Sequence, residues 1–414
     1  MRISRLGLGF AAATALIVGG WVSAQAQEIK FWTLNFANDS ANRAFQSIVK
    51  QFEDANPGVT IKLEQRGTDE HKSALRVASG SEQAPDIYFM WAGLGLGGEF
   101  VKSGLALNME KYYAEYKWDD RFLPVALSFS KDYPGGRFGV PYTFKGEALY
   151  YNKALFQKAG IAGEPKTYDE LVADAEKLAK AGIPAITFGG TVNWHVMRLM
   201  DELLETACGP EKHDALMNMK TNWAEEPCAT KAFEELHRWT SKYTLKPFMG
   251  IDQLQAFNLF LAGRAAMMLE GDWLVGQLRD AKRLADFAVF PFPTGTKRLY
   301  GFAEYNYVST KSKNPDIAAK FLDFLSSTPV QQAHLGEFGT ISVNKEVKYT
   351  STEPLEVAWR KIFGAYEGTF VNGDQAFPLT VTTEYWRIIN QVASDSLDPK
   401  AAAGELQKFI ASAK

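Results

Sequence analysis

Two kinds of hydrophobic spacing alternate along the first part of the chain. Residues 28–36 have the composition of a strand and end in polar positions. Residues 45–52 place apolar side chains at i, i+3, i+4 and i+7, which predicts a helix with one buried face, and Asp39 or Ser40 is its expected N-cap. Residues 59–63 alternate apolar and polar, as a half-buried strand does. This strand–helix–strand order predicts a parallel sheet with a right-handed crossover.

Similar units return further along the chain. Residues 84–91 read as a short buried strand that opens into a glycine-rich loop. Residues 167–170 (TYDE) have the form of a capping box at the start of a helix, and residues 183–188 follow that helix as a strand. Residues 265–269 predict another strand, with Asp272 and the adjacent tryptophan where the next helix starts. These elements predict a second α/β unit.

One stretch, residues 137–161, joins the two units. It begins as an extended run, because Pro141 keeps the preceding residue out of a helix, and then takes on a helical pattern. Glu147 lies between the two parts. We predict a strand that leaves one domain and enters a second, with Glu147 near the crossing and residues 301–308 forming a second crossing strand. The alternative is a surface connection with a solvated Glu147.

Length and charge limit the classes of protein. A chain of 414 residues is too long for a single core to be the default, so two domains are expected. The net charge of −3 offers no basic surplus to neutralise phosphates, which argues against a nucleic-acid partner. Aromatic residues make up 13% of the chain, which suits both a core and a site for flat apolar faces.

The N-terminus has the pattern of an export signal. Two arginines precede an apolar run over residues 6–22, and residues 24–26 (AQA) fit a cleavage site. We therefore predict that residues 1–26 are a signal peptide, that the mature chain starts at Gln27, and that the protein is exported to the periplasm. The alternative is an uncleaved anchor.

The chain has two cysteines, Cys208 and Cys228. In an oxidising compartment such a pair is expected to form a disulfide, with two separate thiols as the alternative. The five histidines are scattered and show no metal-ligand spacing, so no metal site is expected.

A glycine motif follows the strand at 84–91. Gly93, Gly95 and Gly98 match the form of a dinucleotide fingerprint. That fingerprint also needs an acidic residue at the end of a second strand about 20 residues on, and no strand end is found there. We therefore expect no nucleotide and no other cofactor.

Several short motifs occur in an order typical of one protein family. They are Phe52-Glu53 with Asn56-Pro57, Pro85-Asp86-Ile87, Gly139-Val140-Pro141 followed by Leu149-Tyr150-Tyr151-Asn152-Lys153, Pro165 with Thr167-Tyr168-Asp169-Glu170-Leu171, Phe260 with Gly263 and Ala265-Ala266-Met267, Gly271-Asp272-Trp273, and Lys313-Asn314-Pro315 before Ala318 and Phe321-Leu322. Together they resemble the bacterial extracellular solute-binding proteins of family 1, the maltose-binding-protein-like receptors of carbohydrate ABC importers. The resemblance covers nearly all of the mature chain.

The resemblance implies a two-lobed α/β periplasmic binding protein fold of the type II kind, in which the chain crosses between the lobes three times. The N-terminal lobe would hold residues 27–143 and 307–340, and the C-terminal lobe residues 144–306 and 341–414. A carbohydrate would bind in the cleft, and the lobes would close on it by hinge motion. The implied partners are the sugar and the permease subunits at the inner membrane, and a monomer is expected.

A sugar receptor needs aromatic plates for the ring faces and polar groups for the hydroxyl edges. The candidates are residues at strand ends, crossings and helix starts: Thr33, Asn35, Arg66, His71, Trp91, Glu147, Trp194, Asp272, Trp273, Glu304, Tyr305, Glu384 and Trp386. The resemblance makes Trp273 the first choice for stacking on a ring. Asp272 would accept hydroxyls or cap the following helix. The competing interpretation of every candidate is ordinary packing or a solvated surface position.

Two other functions fit the same residues. Glu147, Asp272 and Glu304 in one cleft could imitate the carboxylate pair of an exported glycosidase, although no catalytic motif is present. A receptor for a polyol, a glycerophosphodiester or an anionic glycoside is the other alternative, which Arg66 or Arg387 in the cleft would favour.

Overall fold

The computed structural model describes residues 27–36, 38–131 and 133–413. The predicted signal peptide lies outside these residues. The strands are β1 (Gln27–Leu34), β2 (Val59–Arg66), β3 (Ile87–Trp91), β4 (Val140–Asn152), β5 (Ile186–Thr187), β6 (Met267–Gly271), β7 (Phe287–Phe290), β8 (Arg298–Val308) and β9 (Gly368–Phe370). The α-helices are α1 (Asp39–Ala55), α2 (Thr68–Ser79), α3 (Gly97–Lys102), α4 (Glu110–Tyr116), α5 (Trp118–Arg121), α6 (Pro124–Ser128), α7 (Lys153–Lys158), α8 (Tyr168–Lys180), α9 (Asn193–Met217), α10 (Pro227–Arg238), α11 (Gln253–Leu261), α12 (Leu274–Asp280), α13 (Pro315–Leu325), α14 (Thr328–Ala333), α15 (Pro354–Ala365), α16 (Gly373–Ala376), α17 (Leu379–Ala393) and α18 (Pro399–Ser412).

The strands form one continuous sheet in the order β2-β1-β3-β8-β4-β6-β5, with β7 added beside β4 and β9 beside β8. The parallel pairing of β1 and β2, with α1 between them in the chain, is as predicted. The mixed α/β class predicted from the sequence is therefore confirmed.

Two long strands carry the chain from one half of the molecule to the other. β4 pairs with β8 as far as Gly146, and from Glu147 onward it pairs with β6. β8 pairs with β3 at its C-terminal end and with β9 at its N-terminal end. Glu147 thus lies at the position where the partner of β4 changes, as the crossing interpretation predicted.

The buried side chains form separate cores on the two sides of these strands. One core draws on residues 29–144 and 303–343, and it includes the faces of β1 and α1. The largest core on the other side draws on residues 149–292 and 377–410. We propose that the lobe boundaries given above follow these cores.

Local details differ from the predictions where backbone groups choose other partners. Asn38, not Asp39 or Ser40, caps α1, because its side-chain oxygen accepts from the amide of Ala41 at 2.7 Å. Thr167 caps α8, but the predicted capping box is incomplete. Glu170 accepts from the amide of the residue before Thr167 instead of from Thr167 itself.

The helical pattern predicted within residues 137–161 begins later than expected. β4 continues to Asn152, whose side chain caps α7 by accepting from the amide of Leu155 at 3.2 Å. Residues 147–152 stay extended because β4 is paired on both edges, with β6 and with β7. These two strands provide hydrogen-bond partners for its backbone N–H and C=O groups.

Cys208 and Cys228 form a disulfide. Cys208 lies in α9 next to Gly209, where the helix is kinked, and Cys228 lies in the first turn of α10. The bond ties α9, which begins at the cleft, to its neighbour. Among the described residues, no helix is both long and apolar enough to cross a lipid bilayer.

Candidate functional site

A cleft opens between the two cores, and its lining comes from both sides and from the crossing strands. It contains about 1010 Å³ of space, including its open mouth. The side chains that line it are Leu34, Asn35, Phe36, Asn38, Thr68, Lys72, Phe89, Trp91, Leu96, Lys145, Glu147, Trp194, Arg198, Gln253, Trp273, Phe302, Glu304, Glu337, Phe338, Asn372 and Asp374. A volume of this order suits a small-molecule ligand.

Three tryptophans present partly exposed rings to the cleft: Trp91, Trp194 and Trp273. Trp91 ends β3 and packs edge-on against Phe89, with ring centroids 4.9 Å apart. Trp273 follows β6, and its indole lies directly over Gly271. A Cβ at Gly271 would lie 1.9 Å from a ring carbon, so only glycine admits this indole position.

Arg198 lies between two of these rings. Its guanidinium carbon is 4.4 Å from the ring centroid of Trp194 and 5.0 Å from that of Trp273. Trp194 and Arg198 are four residues apart on α9, so they share one helix face. A cation over an indole face is attracted by the electrons of the ring, and burial strengthens that attraction.

The same guanidinium binds two buried carboxylates. Its Nη1 donates to Glu270 at 2.7 Å, and its Nε lies 2.9 Å from an oxygen of Glu147. Glu270 also accepts from the side-chain amide of Gln253 at 2.5 Å. His195 lies behind Glu270, with its Nε2 3.5 Å from the carboxylate. Arg198 therefore supplies a positive charge to both acids.

Burial shifts the pKa values of these groups in different directions. Burial would raise the pKa of Glu270, but Arg198 and His195 reverse the effect and hold it below its usual value. Burial raises the pKa of Glu147 well above its usual value, and Arg198 opposes this only in part. Burial lowers the pKa of His195 to about 4, so His195 is neutral near pH 7.

Glu147 has spare hydrogen-bonding capacity. Within the described chain, neither of its carboxylate oxygens has a hydrogen-bond partner, because the N–H of Arg198 is not aligned with the nearer oxygen. A buried carboxylate without partners is costly. Glu147 lines the cleft, so hydroxyl donors on a ligand would satisfy it.

A second group of polar side chains fixes the third connection between the two halves. Lys145 of β4 donates to the carbonyl oxygen of Phe338. The carboxylate of Asp272 accepts from the amide of Thr340 at 2.7 Å and from its hydroxyl at 3.1 Å. Asp272 is buried and is not among the residues that line the cleft, and its Oδ2 binds Thr340 of a crossing segment instead of capping α12.

Six of the thirteen residues predicted for the site line the cleft, where a ligand-binding residue must lie. They are Asn35, Trp91, Glu147, Trp194, Trp273 and Glu304. The hydroxyl of Thr143 donates to Glu304. Burial raises the pKa of Glu304, and Lys145 opposes this shift.

Four predicted residues on the side of the first core do not line the cleft. Thr33 and Tyr305 are buried, and the Tyr305 hydroxyl donates to the carbonyl of Ala126. His71 is fully buried, with its Nε2 2.7 Å from the carbonyl oxygen of Phe89. Arg66 stacks on the ring of a neighbouring β1 tryptophan at 4.1 Å and does not reach the cleft.

The two predicted residues of α17 also lie outside the cleft lining. Glu384 pairs with exposed Arg387 at 2.5 Å. Trp386 borders a separate shallow groove, and its indole N–H points at the sulfur of Met197 at 3.1 Å. Arg387 lines the same groove, so neither arginine of the anionic-ligand alternative lies in the cleft.

Nine polar residues that line the cleft were not predicted: Asn38, Thr68, Lys72, Lys145, Arg198, Gln253, Glu337, Asn372 and Asp374. Asn372 and Asp374 follow β9 closely, and the strand-end argument that selected Asn35 would have found them if the three-residue strand had been recognised. Arg198 could have been found from its spacing of four residues from Trp194. Among the described residues, no group of three metal-binding side chains is arranged to hold a metal ion.

The sequence matches a model of one protein family, the bacterial extracellular solute-binding proteins, over residues 38–332. The chain belongs to this family. The resemblance inferred from the short sequence motifs is therefore confirmed.

Known solute-binding proteins agree with this assignment. An ABC transporter extracellular-binding protein of Pyrococcus horikoshii, of uncharacterized function, is 24% identical over 398 residues, which cover 92% of this chain and 87% of that protein. A maltotriose-binding protein of Pyrococcus abyssi is 27% identical over 321 residues, covering 74% of this chain and 64% of that protein.

A solved structure of a chitin oligosaccharide binding protein superposes with a TM-score of 0.85 at 23% identity, and the match covers 94% of this chain and 99% of that one. This solute-binding protein therefore has the two-lobed fold that the family resemblance implied.

Proposed function

We propose that this solute-binding protein captures a carbohydrate in the cleft and delivers it to the permease subunits of an ABC importer. The observation that carries the proposal is that partly exposed indole rings lie in one cleft with a buried carboxylate that has an ion-pair partner, Arg198, but accepts no hydrogen bond from the described chain. Trp91, Trp194 and Trp273 offer flat apolar faces, and Glu147 offers acceptor oxygens. Sugar rings combine C–H faces with hydroxyl edges, so both kinds of group are needed together.

The charges of the cleft favour a neutral ligand over an anionic one. Each cation that lines the cleft has an acidic neighbour: Arg198 has Glu147, and Lys72 is attracted by Asp374. The acidic neighbour of Lys145 is Glu304: burial raises the pKa of Glu304, and the positive charge of Lys145 is the largest effect that lowers it. An anionic ligand would have to compete with these carboxylates. Arg66 and Arg387, which would have favoured it, lie elsewhere.

Of the three acids that the glycosidase alternative needs in the cleft, Asp272 does not line it. Asp272 is held by Thr340, and Arg198 supplies its positive charge to Glu147. We propose that the protein is a receptor and not an enzyme. The relative from Pyrococcus abyssi and the solved structure named above are likewise described as binding proteins.

We further propose that the protein works in the periplasm as a monomer, after removal of residues 1–26. The export signal supports the compartment. The relative from Pyrococcus horikoshii, named as an ABC transporter component, supports the permease partner.

A thermal-shift screen of the mature chain tests the function. The panel contains maltotriose, chitotriose, raffinose, galactose, mannitol, a glycerophosphodiester and glucuronate. A sugar at one hundred times its dissociation constant should stabilise the fold by about 2.7 kcal/mol. Chromatography of the sugar after long incubation should return it unchanged. Stabilisation by glucuronate or the glycerophosphodiester alone, or the appearance of cleaved product, contradicts the proposal.

A further inference from the structure

The glycine-rich loop that resembles a dinucleotide fingerprint packs against the opposite half of the molecule. The amide of Leu94 donates to the carbonyl of Gln375 at 2.7 Å, and the side-chain amide of Gln375 donates to the carbonyl of Ala92 at 2.6 Å. The loop leaves the first core through β3, whereas Gln375 belongs to α16, next to the second core. These hydrogen bonds cross directly between the two halves.

The glycines explain how the two backbones approach so closely. A Cβ at Gly95 would lie 2.2 Å from the carbonyl oxygen of Phe377 and 2.4 Å from that of Asp374. A Cβ at Gly93 would lie 2.6 Å from the carbonyl oxygen of Gln375. The motif therefore admits main-chain contact between the lobes, and no nucleotide is needed to account for it.

The same segment faces the cleft on its other side. Asn372 and Asp374 line the cleft, and Asp374 is only 4% exposed. Within the described residues, Oδ1 of Asn372 and Oδ1 of Asp374 accept no hydrogen bond. Burial raises the pKa of Asp374, and the nearby ammonium of Lys72 opposes the shift.

One carboxylate holds the segment in place from behind. Asp201 accepts from the amide of Gly373 at 3.0 Å, from the hydroxyl of Tyr300 at 2.9 Å and from that of Tyr385 at 2.7 Å. Asp201 lies three residues after Arg198 on α9. One helix thus orients the indole plate, the guanidinium and this segment.

We propose that residues 372–375 form a clasp that accepts hydrogen bonds from ligand hydroxyls through Asn372 and Asp374 and fastens the lobes through Gln375. Asp201 is its positioning residue. This inference rests on the proposed function for its ligand contacts, but not for its contact between the lobes. The clasp couples occupancy of the cleft to closure, because one short segment meets both the ligand and the other lobe.

The lobe contact is tested without any sugar. Nitroxide labels on Lys50→Cys in α1 and Lys158→Cys in α7, both exposed positions, report the distance between the lobes by pulsed dipolar spectroscopy. Gly95→Ala should lower the ratio of closed to open molecules about tenfold, as expected for losing the hydrogen bonds across the cleft. Gly80→Ala, where a Cβ meets nothing within 4 Å, is the matched control and should leave the ratio unchanged. Equal distance distributions for both variants overturn the clasp.

The ligand contact is tested with maltotriose, chitotriose and galactose as probes, measured by titration calorimetry. Asp374→Asn should weaken the binding of the sugar that wild type takes up by about tenfold, the scale of one hydrogen bond to a charged group. Unchanged affinity in Asp374→Asn overturns the ligand role of the clasp. Failure of wild type to bind any of these sugars counts against the carbohydrate proposal. The spin-label distances then test the contact between the lobes by themselves.

Discussion

Arg198 gives the sharpest test of how the cleft is held together. Arg198→Met keeps a long apolar stem between the indoles but removes the charge. The side chain is only 7% exposed, and both of its carboxylate partners, Glu147 and Glu270, are essentially inaccessible. Removing one partner of a buried ion pair costs about 3–5 kcal/mol, because the remaining charge stays buried without compensation.

An exposed pair supplies the matched control. Arg387 binds Glu384 at 2.5 Å, but its side chain is 48% exposed. Pairs of this kind contribute about 0–1 kcal/mol. Urea unfolding at pH 7, followed by tryptophan fluorescence, should therefore show a large fall in stability for Arg198→Met and a small one for Arg387→Met.

A second substitution and a change of pH show whether charge is the cause. Adding Glu147→Gln to Arg198→Met should recover part of the lost stability, because it removes one of the stranded carboxylates. A carboxyl whose pKa is raised in the folded state binds its proton more tightly there, so acid favours folding between the unfolded and folded pKa values. Arg198 lowers the pKa of both Glu147 and Glu270, so both carboxyls should bind protons more tightly in folded Arg198→Met than in folded wild type. The deficit of Arg198→Met should therefore shrink as the pH falls from 7 toward 5. Losses of less than about 1 kcal/mol in Arg198→Met would refute this reasoning.

Three further predictions concern other parts of the molecule. Burial holds the pKa of His195 at about 4, so as the pH falls the unfolded chain takes up a proton on His195 before the folded chain does. This group should therefore lower the stability of wild type by about 3 kcal/mol between pH 6.5 and pH 4. Urea unfolding measured over this pH range should show a smaller fall in His195→Gln. Replacing Cys208 and Cys228 by serine should lower the free energy of unfolding by about 3 kcal/mol, since the bond closes a loop of 20 residues; equal urea midpoints would contradict this. Gly271→Ala should displace the indole of Trp273 and weaken sugar binding in calorimetry while circular dichroism stays unchanged.

Much of the fold could be predicted because hydrophobic periodicity is a local signal. The spacing in α1 and the alternation in β2 both reflect one buried face. Glu147 could be placed near a crossing because it lies between an extended run and the helical pattern that follows it. The strand predicted over residues 183–188 contains β5, whereas β9 was not predicted, since a strand of three residues carries no period.

The site was predicted in part, for a similar reason. A strand end locates a backbone position, and Asn35 and Trp91 at such ends do line the cleft. It does not determine where a long side chain turns. Arg66 also ends a strand, but it folds back onto the indole of Trp32. Arg198 and Asp374 have local signals in their spacing from Trp194 and from β9, but the sequence does not show which face of α9 or which side of the segment after β9 turns to the cleft. Tertiary packing of α9 and α16 decides that.

We propose that the indole of Trp273 stacks on a sugar that the protein binds without altering it. Titration calorimetry of the sugar found in the screen tests this on wild type, Trp273→Ala and Trp32→Ala, where Trp32 is a partly buried indole that does not line the cleft. We expect one saturable site in wild type and an affinity close to wild type in Trp32→Ala. Trp273→Ala should lose about tenfold or more in affinity, consistent with about 1.4 kcal/mol or more from ring stacking. Equal affinities in all three proteins would contradict stacking by Trp273.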